Sequence, residues 1–292
     1  LNIPDQPASA AEAALTADSN ATAVEAGSRA EEKATSLWGY PATYLLVGLN
    51  VAVFVAMLVY GSGPLIDAWR RHDWQQLLTA GFDAQTLTRF GSSGPALVLR
   101  NGQWWRLLTS MFVHVTVLHI ALNMWCLWNL GLFGEPLLGR RGLVAVYVLT
   151  GGAGMVASLG WNVFTRQYGQ IVAGASGAVF GIAGILIILL SNRKLSLPWE
   201  ELRHLRRQVI FFAVANLAIG MGSNLLGGLA RGASRVDNSA HLGGFVCGLA
   251  LGLPLFPRMT TGRTSYRARQ RETFAVAALV LSLLGYAIAQ FA

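Results

Sequence analysis

The chain has 292 residues, of which 53% are hydrophobic and only 12% charged. Soluble proteins carry about 25% charged residues, so this composition excludes an ordinary soluble domain and points to a membrane protein. The net charge of +8 does not indicate a nucleic-acid partner, because the basic residues fall in short stretches between apolar segments and not on one amphipathic face.

Residues 1–40 are rich in Ala, Glu, Ser and Thr and hold almost no large apolar side chain before Leu37. Such a stretch cannot bury a core and is expected to be a disordered, cytoplasmic N-terminal tail. It has no pattern of a cleavable signal peptide. A first spanning segment is expected from about Tyr44 to Tyr60, extending back to Pro41. Residues 61–108 then form a long connection that is more than linker. Ala68-Trp69-Arg70-Arg71 and Trp74-Gln75-Gln76-Leu77-Leu78 read as short amphipathic helices, and Trp104-Trp105-Arg106 closes the stretch. Aromatic residues beside arginines suit the headgroup layer, so this loop is expected to lie partly in the membrane.

Further spans are expected at about 112–133, 143–161, 172–190, 208–228, 238–256 and 273–291, each near the length of about 20 residues that a bilayer needs. That makes seven. Arg193, Lys194, Arg203, Arg206 and Arg207 follow the fourth, Arg258, Arg263, Arg267, Arg269 and Arg271 follow the sixth, and Arg140 and Arg141 follow the second. The positive-inside rule puts these loops in the cytoplasm. The N-terminus is then cytoplasmic and the C-terminus outside. The first loop, with five arginines on the other side, runs against the rule, but long loops obey it least. Cys126 and Cys247, the two cysteines, lie inside apolar runs and resemble neither a disulfide framework nor a metal site.

With that topology the second, fourth and sixth spans all run inward from the outer face. His119 and Asn123, Ser176, and His241 then share one layer, about 5–15 Å from the outer edge at 1.5 Å per residue. A serine hydroxyl is a weak nucleophile until a base takes its proton, and His241 can be that base. Asn123, the ring N–H of His119 and the backbone N–H of Ser176 at a helix start can donate to an oxyanion. This chemistry is acyl transfer at membrane depth. Gly177, Gly181 and Gly184 on the fourth span, and Gly244, Gly248 and Gly252 on the sixth, form small-residue stripes that let two helix backbones approach.

Each feature also has a plain structural reading. The serine between glycines can be packing, and His119 with Asn123 an interhelical pair. Asp237, four residues before His241, suggests a triad, but Asp237 or Asn238 suits the cap of the sixth helix, and a Ser–His dyad is the reading adopted. His114 reads as structural, near the junction of the first loop and the second span.

Trp105-Arg106, His119-x-x-x-Asn123, Glu135 with Gly139-Arg140, Gly174-Ala175-Ser176-Gly177 and Ala240-His241-Leu242-Gly243-Gly244 occur in this order. Together they resemble the rhomboid family of intramembrane serine proteases, over about residues 40–256. The resemblance implies an all-α polytopic membrane bundle. It consists of a six-helix core over 41–256, followed by a basic cytoplasmic loop and a seventh helix over 257–292, as in the 6+1 subgroup. It implies a Ser176–His241 dyad, with His119, Asn123, the Ser176 backbone and Gly174 on the oxyanion side. It also implies transmembrane-helix substrates cut near the outer face, the cell membrane as location, and no metal or cofactor. Some relatives carry a tyrosine where this chain has Phe180, whose ring can still pack on the base. The fifth span, with Gly220, Gly222, Gly227 and Gly228, is expected to gate substrate access with the loop after it. Two other classes, a helix-binding membrane chaperone and a channel or transporter, fit less well. The chaperone is expected to lack the serine or the histidine, and the channel lacks paired inverted repeats and charges in mid-span.

Overall fold

The computed structural model describes residues 39–195, 198–227 and 237–291, with the side chains at 219–227 and 258 outside the description. The described residues from Ala42 onward lie in one compact unit. Its regular structure is helical, and pairing between extended segments is confined, among the described residues, to the bridges Gly81–Thr116 and Ser93–Val172.

In chain order the helices are α1 (Pro41–Tyr60), α2 (Pro64–Arg71), α3 (Trp74–Thr79), α4 (Ala84–Arg89), α5 (Arg106–Thr109), α6 (Val117–Phe164), α7 (Ser176–Leu189), α8 (Trp199–Gly227), α9 (Asn238–Leu255) and α10 (Arg263–Gln290). Three of them, α1, α6 and α10, are long and apolar enough to cross a membrane by length and composition. The second and third expected spans are the two limbs of α6. This 48-residue run is broken only at Gly139, whose φ of 74° and ψ of 163° are not helical. Glycine alone adopts that φ without a steric cost, so the expected short loop reduces to a one-residue break.

Other boundaries shift for local reasons. The second span begins at Val117 and not at 112, because Ser110–Phe112 form a 3-10 turn and the Thr116 side chain caps α6 by accepting from His119 N at 3.0 Å. The fourth begins at Ser176 and not at 172. Val172 is extended and exchanges two backbone hydrogen bonds with Ser93, of 2.8 and 2.9 Å. The first loop holds both expected short helices, as α2 and α3. Arg106 pins the loop by donating to the Thr88 and Ser92 carbonyls at 2.7 and 2.9 Å and to Gln103 Oε1 at 2.5 Å. Gly228 and the loop to residue 236, half of the expected gate, lie outside the described residues.

Helix α7 is the centre of the bundle. Every residue from Gly177 to Leu186 is buried, and the helix packs against α6, α8 and α9. The two glycine stripes do face each other. A Cβ added to Gly244 would sit 2.0 Å from the Gly177 carbonyl oxygen, and one on Gly248 would sit 2.0 Å from that of Gly181. Backbone touches backbone along this seam, which only glycine permits. Glu135 closes the N-terminus of α1, accepting from the Ala42 and Thr43 amides and the Thr43 hydroxyl at 3.0, 2.8 and 2.8 Å. By contrast α10 lies outside this core against α6 and α9, with only Gln270 and Gly285 buried.

Candidate active site

Ser176 is the first residue of α7, after Ala175 in the N-cap position, and no side chain caps this end. The first amides of the helix, that of Ser176 among them, therefore have no intrahelical acceptor. His241 is in the first turn of α9. The glycine seam brings these two helix starts together, and His241 Nε2 lies 2.7 Å from Ser176 Oγ, a hydrogen bond. With Nε2 accepting from the serine, the ring carries its proton on Nδ1. Phe180, one turn below Ser176 on α7, stacks on the imidazole with ring centroids 4.6 Å apart.

His119 and Asn123 come from the first turns of α6, and the Asn123 amide donates to the His119 carbonyl at 2.9 Å. Gly174 has a φ of 132°, and a Cβ there would stand 2.8 Å from Cε1 and Nε2 of His119. The missing side chain is what lets the His119 ring lie against the turn that leads into Ser176. All four expected side chains, His119, Asn123, Ser176 and His241, line one cavity of about 410 Å³. A larger groove of about 990 Å³ between α9 and α10 is lined almost wholly by apolar residues and touches none of the four.

His114 is fully buried beside this layer, its ring edge-on to His119 with centroids 5.1 Å apart. Asp237 does not complete a triad. It is the N-cap of α9, its Oδ1 accepting from the Ser239 and Ala240 amides at 3.0 and 3.1 Å and from the Ser239 hydroxyl. Its other oxygen accepts from Ser158 Oγ on α6. His241 Nδ1 has no hydrogen-bond partner among the described residues. Ser158 and Asn162, one turn apart on α6, belong to no motif in the sequence. Their spacing of four on an apolar helix was the one available sign.

The rhomboid domain model matches residues 101–258, more than half of the chain. This chain belongs to the rhomboid family. Among its curated relatives, Rhomboid protease GluP of Bacillus subtilis (strain 168) is 31% identical over 217 residues, covering 73% of this chain and 35% of that protein. Rhomboid-like protease 2 of Toxoplasma gondii is 30% identical over 231 residues, 79% of this chain and 71% of the relative. Rhomboid protease AarA of Providencia stuartii is 30% identical over 228 residues, 75% and 73% respectively. This rhomboid chain thus spans about a third of GluP and about seven tenths of the other two. As a rhomboid it is a multi-pass membrane protein, and the matched region contains His119, Asn123, Ser176 and His241.

Proposed function

We propose that this rhomboid is an intramembrane serine endopeptidase, with Ser176 as nucleophile and His241 as general base, that cuts transmembrane segments of other membrane proteins near the outer face of the cell membrane. The observation that carries the reading is the 2.7 Å contact between Ser176 Oγ and His241 Nε2. It lies at the wall of a cavity that the uncapped start of α7 also borders.

In the reaction the Ser176 hydroxyl gives its proton to Nε2 as Oγ bonds to the scissile carbonyl carbon. The carbonyl π electrons move to oxygen. The resulting oxyanion is met by the Ser176 amide, the Asn123 side chain and the His119 ring N–H, beside Gly174. When the C–N bond breaks, Nε2 returns the proton to the leaving amine. Water then attacks the acyl-serine, giving a proton to His241, and the released Oγ takes that proton back. His241 and Ser176 end unchanged. The protein's own side chains carry every proton, so the reaction calls for no metal or cofactor.

A buried hydrolysis needs a watered cavity, since lipid tolerates polar groups only where they line one. Helix α7, at 14 residues, is about 21 Å long, against about 30 Å of hydrocarbon. With its far end at the inner edge, Ser176 starts about 9 Å below the outer edge. The arginine-based orientation, with the N-terminus in the cytoplasm and the C-terminus outside, is what assigns that far end to the inner edge. In this reading residues 41–256 are the six-helix core and α10 is the added seventh helix.

The deciding measurement is cleavage of a model transmembrane substrate by the purified protein in detergent, beside Ser176→Ala and His241→Ala. Cleavage lost in both variants, together with fluorophosphonate labelling of the wild type alone, supports the proposal. Equal behaviour of all three proteins overturns it, and a helix-binding role then takes its place.

A further inference from the structure

His241 lacks the second hydrogen bond that usually aims a catalytic imidazole. Its Nε2 meets Ser176, its face meets Phe180, and its Nδ1 meets no partner among the described residues. The position of the ring therefore depends on the position of the helix turn that carries it. That turn is held from three directions. The Ala240 carbonyl oxygen would stand only 2.6 Å from a Cβ on Gly154 and 3.3 Å from one on Gly177, so it is wedged between α6 and α7. Gly243 is pressed on Ala157 and the Ala153 carbonyl of α6 in the same way. The third hold is polar. Asp237 accepts from Ser158 Oγ, and Ser158 Oγ in turn accepts from Asn162 Nδ2 at 3.2 Å.

We propose that Asp237 is a positioning residue, which through Ser158 on α6 ties down the first turn of α9 and so fixes the His241 imidazole opposite Ser176. This rests on the reading of Ser176 and His241 as the reacting pair. An N-cap needs only one side-chain oxygen aimed at the helix amides, and Oδ1 does that alone. Oδ2 serves the cross-helix bond, which a cap does not require. His241 stands four residues, about 6 Å along the axis, from Asp237, so a tilt of this turn moves the ring directly. A misplacement of about 1 Å at a reacting group costs on the order of 10²-fold in rate. Asp237 is half-buried at the cavity wall, so water can satisfy Oδ2 when Ser158 is removed, and the loss falls on the position of the turn more than on stability.

The test uses the purified full chain with Ser158→Ala, Ser158→Thr and Asp237→Ser. Ser158→Ala removes the tie and leaves the cap. Asp237→Ser keeps a capping oxygen and gives up the second one. The readouts are the rate of Ser176 labelling by a fluorophosphonate, kcat and KM on a transmembrane substrate, and the unfolding midpoint. The expected result is a loss of about tenfold in kcat and labelling rate for Ser158→Ala and Asp237→Ser. KM and the midpoint stay near wild type, and Ser158→Thr restores most of the rate. Wild-type rates in both impaired variants reduce Asp237 to a helix cap and overturn the proposal. So does a loss that follows the unfolding midpoint, or one that Ser158→Thr does not rescue. A wild type that takes no label at Ser176 removes the reacting pair itself, and this inference with it. That failure shows in the wild type before any variant is compared.

Discussion

Phe180 lies flat on His241, with ring centroids 4.6 Å apart and planes 17° apart. Phe180 also meets Phe212 of α8, with centroids 6.3 Å apart and planes tilted by 38°. A stack of this kind holds the imidazole in one plane without taking either nitrogen, and contributes about 0.5–1.5 kcal/mol beyond simple burial. Phe180→Ala is therefore expected to lower kcat by about two- to twelvefold, taking 1.4 kcal/mol as tenfold. Phe180→Tyr keeps the ring and is expected to stay within about twofold of wild type. Steady-state cleavage of a transmembrane substrate measures both, and an unchanged rate in Phe180→Ala would remove the ring from the account of His241.

The seam between α7 and α9 gives a second outcome. A methyl group on Gly248 would stand 2.0 Å from the Gly181 carbonyl oxygen, and backbone cannot yield as a flexible side chain does. Gly248→Ala is expected to cost about 1–3 kcal/mol as overpacking and to lower activity further, because the same seam sets the distance between Ser176 and His241. Gly48 on α1 has nothing within 4 Å of its added Cβ. Gly48→Ala is expected to stabilise by about 0.5–1 kcal/mol through lower chain entropy. Thermal unfolding in detergent should give the two substitutions opposite signs.

Glu135 supplies a third. It is 4% exposed and accepts three hydrogen bonds from the first turn of α1. Glu135→Ala leaves two amides and a hydroxyl unsatisfied in an apolar setting and is expected to cost about 3 kcal/mol or more, at 1–3 kcal/mol for each buried group left alone. Glu135→Gln keeps one accepting oxygen and should fall between. A midpoint of unfolding unchanged in Glu135→Ala would mean that α1 docks without this cap.

Much of this arrangement was readable in the sequence because it follows from helix geometry alone. Four polar residues in otherwise apolar runs, counted from the start of each run, fall at one depth, and glycines every four residues mark a backbone seam. What was not readable depends on contacts distant in the chain. The start of α7 at Ser176 follows from Val172 pairing with Ser93, which no local periodicity encodes. The same holds for Ser158, whose partner Asp237 is 79 residues away. The break at Gly139 was expected as a loop, since composition marks where a helix reverses but not how few residues the reversal takes.

Gly174 gives the last prediction, and it separates geometry at the oxyanion side from general damage. Its φ of 132° is one that side-chain-bearing residues rarely adopt, and its missing Cβ is replaced by the His119 ring, 2.8 Å from where that Cβ would be. Gly174→Ala is expected to cost about 1–3 kcal/mol in backbone strain. The ring must also move, so its N–H no longer meets the developing oxyanion, and one lost donor costs about 10²–10³-fold in kcat. If displacement of His119 is the cause, the effects of Gly174→Ala and His119→Ala do not add: the double variant should be about as slow as the slower single one. Multiplicative losses in the double variant would show that Gly174 acts independently of His119, through the turn that places the Ser176 amide. Labelling of Ser176 by a fluorophosphonate, followed beside the unfolding midpoint of each variant, distinguishes these outcomes.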